Sequence, residues 1–210
     1  MSTAVATPNL PNVVAGFEHI ERRFCNADGM PVARVLPGEF YVSNQQESIT
    51  TVLGSCVSAC IFDPLAGVAG MNHFLLPDGG GGDGYGASER YGIAAMESLI
   101  NGLLKLGGNK ERLVFKLFGG ASVIETSSLR VGEMNVAFIR EFIASENLRV
   151  VSEDLGDVFP RKIKFYVKDG RVLVKRLRSM QKRAIDDIEH KYRDSLKKPQ
   201  QQAGEIELFD

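Results

Sequence analysis

Residues 48–77, SITTVLGSCVSACIFDPLAGVAGMNHFLLP, form the most apolar stretch of the chain, and their reading decides the fold. The run reads as strand, turn, strand. Asp63-Pro64-Leu65-Ala66-Gly67 is turn chemistry, because proline presets φ and glycine supplies a position with φ > 0. With Asp63–Ala66 as the loop, Phe62 faces Gly67, and Cys56 falls directly opposite His73. Directly opposed residues of a hairpin carry Cβ atoms about 4.5–5.5 Å apart. A register slip of two would leave the pair diagonal on one face, and a slip of one would put them on opposite faces.

A cysteine facing a histidine has a chemical use. A free thiol has a pKa of about 8.5, so little thiolate exists at neutral pH. A neighbouring imidazole can take the proton and later return it to a leaving amine, and a third group is needed to fix the tautomer of that imidazole. Thr50, six residues before Cys56, is the candidate. Gly54 lets the backbone turn tightly, so the Cys56 amide is free to meet an oxyanion, with Gly54 and Ser55 in support. Asn72, beside His73, is either a hydrogen-bond donor near the site or a strand-face polar contact. The alternative for Cys56 is plain: a small apolar residue in a buried strand. Cys60, on the same strand face, and Cys25, remote in sequence, read as structural.

Around this core the chain is ordinary. It has 210 residues, 44% hydrophobic and 24% charged, with a net charge of −1, so no field draws it to nucleic acid or anionic membrane. No run approaches the roughly 20 apolar residues of a bilayer span, and the N-terminus lacks the pattern of a signal peptide. Three cysteines do not make a disulfide framework, and the expected compartment is the reducing cytoplasm. Residues 1–30 are expected as a flexible lead, 31–178 as one domain, and 179–210 as a charged helical extension with a loose tail. Pro37-Gly38 should break Pro31–Ser43 into two extended segments. Helices are expected where Ile93, Met96, Leu99, Ile100, Leu103 and Leu104, and then Met134, Ala137, Phe138, Glu141 and Phe142, recur at helical spacing. Leu113–Ala121 and the 148–156 run read as strands. Ile163–Leu177 reads as a hairpin turning at Asp169-Gly170, and its basic residues read as a solvated edge face. In 180–198 a narrow seam of Ile185, Ile188, Tyr192 and Leu196 marks a charged helix. The elements mix without strict β-α alternation, which predicts a layered α/β sandwich of mixed sheets with flanking helices.

Two other motifs weigh little. Gly82–Ala87 formally fits GxGxxG/A, but it follows no strand directly, and no carboxylate ends the next strand, so a mobile rim or plain loop is preferred. Cys56, Cys60 and His73, with Cys25 as a fourth ligand, could be offered to zinc, yet no CxxC knuckle occurs. No metal or organic cofactor is expected.

The stretch TTVLGSCVSACIFDP followed by GMNHFLLP resembles the signature of the CheD family of bacterial chemoreceptor glutamine deamidases. RYG, KLFGGA, VGEMN and DGRVLVKRL continue the likeness in order over roughly residues 35 to 178. The resemblance implies a Cys-His-Thr constellation of Cys56, His73 and Thr50, with Thr51 ranked second for the threonine, acting on glutamines in methyl-accepting chemotaxis receptors. It also implies a layered sandwich, a receptor methylesterase side activity in some members, and a CheC-type phosphatase as a further partner. A noncatalytic adaptor binding receptors or such a phosphatase is the rival reading.

Overall fold

Two five-stranded sheets lie face to face, and two helices cover the outer side of one of them. The structure is a computed structural model that describes residues 10–76, 87–122, 128–177 and 182–197. The strands are β1 (Glu21–Cys25), β2 (Met30–Arg34), β3 (Phe40–Ser43), β4 (Ser48–Leu53), β5 (Val57–Asp63), β6 (Val68–Asn72), β7 (Val114–Gly119), β8 (Val150–Leu155), β9 (Arg161–Tyr166) and β10 (Val172–Arg176). The helices are α1 (Ala87–Lys105), α2 (Ser128–Ser145) and α3 (Lys182–Lys197). One sheet runs β1-β2-β4-β9-β10 and the other β3-β6-β5-β7-β8. Each contains one parallel pair, β2 with β4 and β7 with β8, among antiparallel ones. The expected layered α/β sandwich of mixed sheets is what forms.

Strand alternation sorts the apolar residues into two cores. Ile49 and Leu53 of β4, Cys56 and Cys60 at and in β5, Ala69 and Met71 of β6, and Ile163 and Phe165 of β9 fill the space between the sheets. Val57, Ala59 and Ile61 point the other way, onto Met96, Leu99 and Leu103 of α1 and Phe138, Ile139 and Phe142 of α2. Burying each such large side chain contributes roughly 1.5–3 kcal/mol, so β5, apolar on both faces, is the central strand of the molecule. Gly107, at φ 96°, ends α1 in a left-handed turn, and the Gly108 amide donates to the Leu103 carbonyl.

Two expectations change. Glu21–Cys25 is a strand paired antiparallel with Met30–Arg34, so part of the stretch expected as a flexible lead belongs to the sheet. The hairpin register also moves. Asp63 stays in the strand because its carboxylate accepts from the Leu65 and Ala66 amides, and its carbonyl accepts from the Gly67 amide. Asp63 therefore pairs with Val68, and Val57 bridges Phe74. Cys56 and His73 become diagonal neighbours instead of direct opposites. Both remain on the inner face, since a slip of two preserves it. The basic hairpin does form a sheet edge, at β10. The Gly82–Ala87 motif lies outside the described residues except for Ala87, where α1 begins.

Candidate active site

The turn between β4 and β5 is held from behind. The Gly54 carbonyl accepts from the Ala121 amide at 2.7 Å and the Cys56 carbonyl from the Gly120 amide at 2.7 Å. Between them, the Ser55 carbonyl accepts from Asn135 Nδ2 at 2.9 Å. Asn135 is fully buried, and its Oδ1 accepts from the Leu76 amide. The tight approach depends on Gly119, whose φ is 111°; a Cβ there would stand 2.1 Å from the Cys56 carbonyl oxygen. With three consecutive carbonyls drawn to one side, the amides of Gly54, Ser55 and Cys56 turn to the other and converge. Successive amides aimed at one point make an anion site.

That point is filled by a carboxylate from the far end of the chain. Glu189 of α3 accepts from the Gly54 amide at 2.8 Å and the Cys56 amide at 3.3 Å through Oε1. Its Oε2 accepts from the Ser55 amide at 2.8 Å and the Ser55 hydroxyl at 2.6 Å. Cys56, His73 and Glu189 are all buried, and one donor atom of each lies within 4.8 Å of the other two. They are the one such set among the described residues that could converge on a cation. Both carboxylate oxygens, however, are already committed to three amides and a hydroxyl.

The imidazole is oriented by a threonine. The Thr51 hydroxyl donates to the Val35 carbonyl at 2.7 Å and lies 2.8 Å from His73 Nδ1. A hydroxyl has one proton to give; Thr51 spends it on Val35 and so accepts from Nδ1–H. This tautomer leaves Nε2 unprotonated, and Nε2 is buried without a hydrogen-bond partner. It is the atom available to a thiol proton.

Thr50, expected in this role, is directed elsewhere. Its hydroxyl donates to the Ile163 carbonyl of β9 at 2.7 Å. Neighbours on a strand face opposite ways, and Thr51 shares the inner face with Ile49 and Leu53. Asn72 is likewise on the wrong face for the site. Its Oδ1 accepts from the Ala59 amide and its Nδ2 reaches Ala95 and Met96 of α1, so it is a strand-to-helix contact. Cys60 is buried between the sheets.

Sequence reasoning missed Asn135 and Glu189. The only signal for Asn135 was a polar residue amid the apolar face of α2. For α3 the expected seam was Ile185, Ile188, Tyr192 and Leu196, but the helix turns differently. Ile185, Glu189 and Arg193, at i, i+4 and i+8, are buried, while Ile188 is half exposed. The face that meets the amides carries charge because its partner there is polar.

Burial sets the protonation of the pair. It pushes the Cys56 thiol well above its ordinary value, and the adjacent Glu189 carboxylate adds to the rise. Burial lowers His73 to about 4, outweighing the pull of Glu189 and the Val35 carbonyl toward the cation. The stability consequence has a definite sign. An unfolded histidine takes its proton near pH 6.5, so between about 6.5 and 4 only the unfolded chain gains one. The stabilisation is full above that window and lost as pH falls through it, by roughly 3 kcal/mol in all. Urea midpoints of the wild type should therefore drop between pH 7 and pH 4.5 by more than those of His73→Gln. Parallel pH curves for the two would show that His73 is not held neutral.

Over most of its length the chain is similar to known proteins. The family model described as CheD chemotactic sensory transduction matches residues 75–176, an interval that begins just after His73. A protein of Methylobacillus flagellatus named probable chemoreceptor glutamine deamidase CheD is 49% identical over 181 residues, covering 84% of this chain and 89% of its own. One of the same name from Thiobacillus denitrificans is 50% identical, covering 84% and 89%. A third, from Hahella chejuensis, is 41% identical over the whole of both chains. No helix among the described residues is long and apolar enough to cross a membrane. Identity at this level, sustained through most of both chains, means that the chain belongs to the CheD family.

Proposed function

We propose that this protein is a cytoplasmic chemoreceptor glutamine deamidase that works through a Cys56 thiol. The observation that carries the reading is the convergence of three amides beside a thiol and an imidazole whose Nε2 is unprotonated and without a partner. His73 Nε2 takes the thiol proton as Sγ attacks the side-chain amide carbon of a substrate glutamine. The C=O π bond opens, and the oxyanion is met by the amides of Gly54, Ser55 and Cys56, the kind of stabilisation usually worth most to catalysis. Collapse breaks the C–N bond, and the imidazolium proton leaves with ammonia. Water, deprotonated by Nε2, then attacks the thioester, releasing glutamate and the thiol. A receptor glutamyl methyl ester would form the same thioester, with methanol leaving in place of ammonia.

The substrates of this reading are methyl-accepting chemotaxis receptors, and a CheC-type phosphatase is a further partner. An adaptor that only bound these would have no use for a nucleophile set against a base and an anion site. The test is to incubate the protein with purified receptor cytoplasmic fragments and locate glutamine-to-glutamate conversion by peptide mass spectrometry, with Cys56→Ser as control. Conversion by the wild type alone is expected. Intact glutamines with receptor binding retained would favour the adaptor.

A further inference from the structure

The anion site of a hydrolase that makes a carboxylate is filled here by a carboxylate of the same chain. Glu189 has the side chain that deamidation of a glutamine yields. It meets four donors through two oxygens, the arrangement a product would adopt before leaving. The surrounding surface is shaped to receive it. A Cβ on Gly54 would come within 2.9 Å of the Glu189 carboxylate, and one on Gly38 within 2.0 Å of the Tyr192 hydroxyl. Tyr192 is anchored by a hydroxyl contact to Tyr91 of α1. Ile185, one turn before Glu189, lines with Ile188 a pocket of about 50 Å³ shared with Leu36, Pro37, Thr51 and His73.

We infer that α3 is a built-in stand-in for the substrate, with Glu189 seated where the product carboxylate would sit, and that α3 must leave this groove before a substrate side chain can reach the amides. The inference rests on the deamidase reading and adds to it a restraint carried by the chain itself. A docked α3 keeps substrate from the amides and holds the thiol buried.

The test uses the full chain. Glu189→Gln places a carboxamide at the same position, its oxygen accepting from the Gly54 and Cys56 amides and its NH2 donating to the Ser55 hydroxyl, so that only the Ser55 amide loses its acceptor. Cys56 should form the thioester with residue 189 and release ammonia, and water should complete the hydrolysis, so the purified variant should carry glutamate at 189. Glu189→Gln combined with Cys56→Ala should keep its glutamine. A glutamine that persists at position 189 with the thiol intact, while a receptor fragment is converted by the same preparation, would overturn the stand-in and leave the deamidase reading standing. Failure to convert either would overturn both.

A second measurement does not depend on turnover. Tyr192→Ala removes an anchor of α3 and should speed alkylation of Cys56 by iodoacetamide, read by peptide mapping. A minor open state is typically ~0.1–10% populated, so freeing the helix should raise that rate about ten-fold or more. An unchanged rate would overturn the docked, restraining role of α3.

Discussion

Cys56→Ala and His73→Ala should each lower glutamine hydrolysis by at least about 10⁴-fold, and the double variant should be no slower than the worse single. In the proposed mechanism the thiol and the imidazole act as a unit, so removing one leaves the other with no step to perform. Without Sγ no thioester forms. Without Nε2 the thiol, raised well above its ordinary value by burial and by Glu189, has no acceptor for its proton. What survives is the contribution of the three amides and of substrate positioning, which in comparable hydrolases still exceeds water by about 10³–10⁴. Single-turnover rates on receptor fragments, with quantified glutamate, check the cycle. A double variant slower than either single by the product of their effects would mean that the two side chains act independently, and the proposed pair would fail.

The second large effect separates two adjacent threonines. Thr51→Val should cut kcat about 10²-fold or more, because a methyl group cannot accept from Nδ1–H and the imidazole is then free to place its proton on Nε2. The loss from a wrong histidine tautomer reaches about 10⁴ in the hydrolase triads. Thr50→Val should stay within a few-fold, since the hydroxyl it removes serves the Ile163 carbonyl and faces away from His73. KM should hardly move in either variant, and Thr51→Ser should recover most of the rate, outcomes that a general loosening of β4 would not give. The reverse ranking, with Thr50 critical and Thr51 dispensable, would remove the tautomer argument.

The two threonines also mark where sequence reasoning stops. That β4 is a strand follows from its apolar and β-branched pattern, but which of two neighbours looks inward depends on the sheet it joins. Val35 supplies the carbonyl that consumes the Thr51 proton, and nothing in the spacing of residues 35 and 51 announces that bond. The hairpin register is a milder case. The turn residues of 63–67 locate the reversal to within a residue, while the Asp63 side chain, bonded to the Leu65 and Ala66 amides, selects which one begins the loop.

Periodicity and turn chemistry alone determined the helices of this protein, its strands other than β1, its layered class, and the hairpin that brings Cys56 near His73. These are local facts, carried by the alternation of side chains and by glycine and proline at fixed positions. The tertiary structure alone decided that Asn135, Gly120 and Ala121 hold three carbonyls back so that three amides face forward. It alone brought Glu189, 133 residues beyond Cys56, onto those amides. Such contacts join segments far apart in the chain through single hydrogen bonds, and a hydrogen bond leaves no periodic trace in the sequence that makes it.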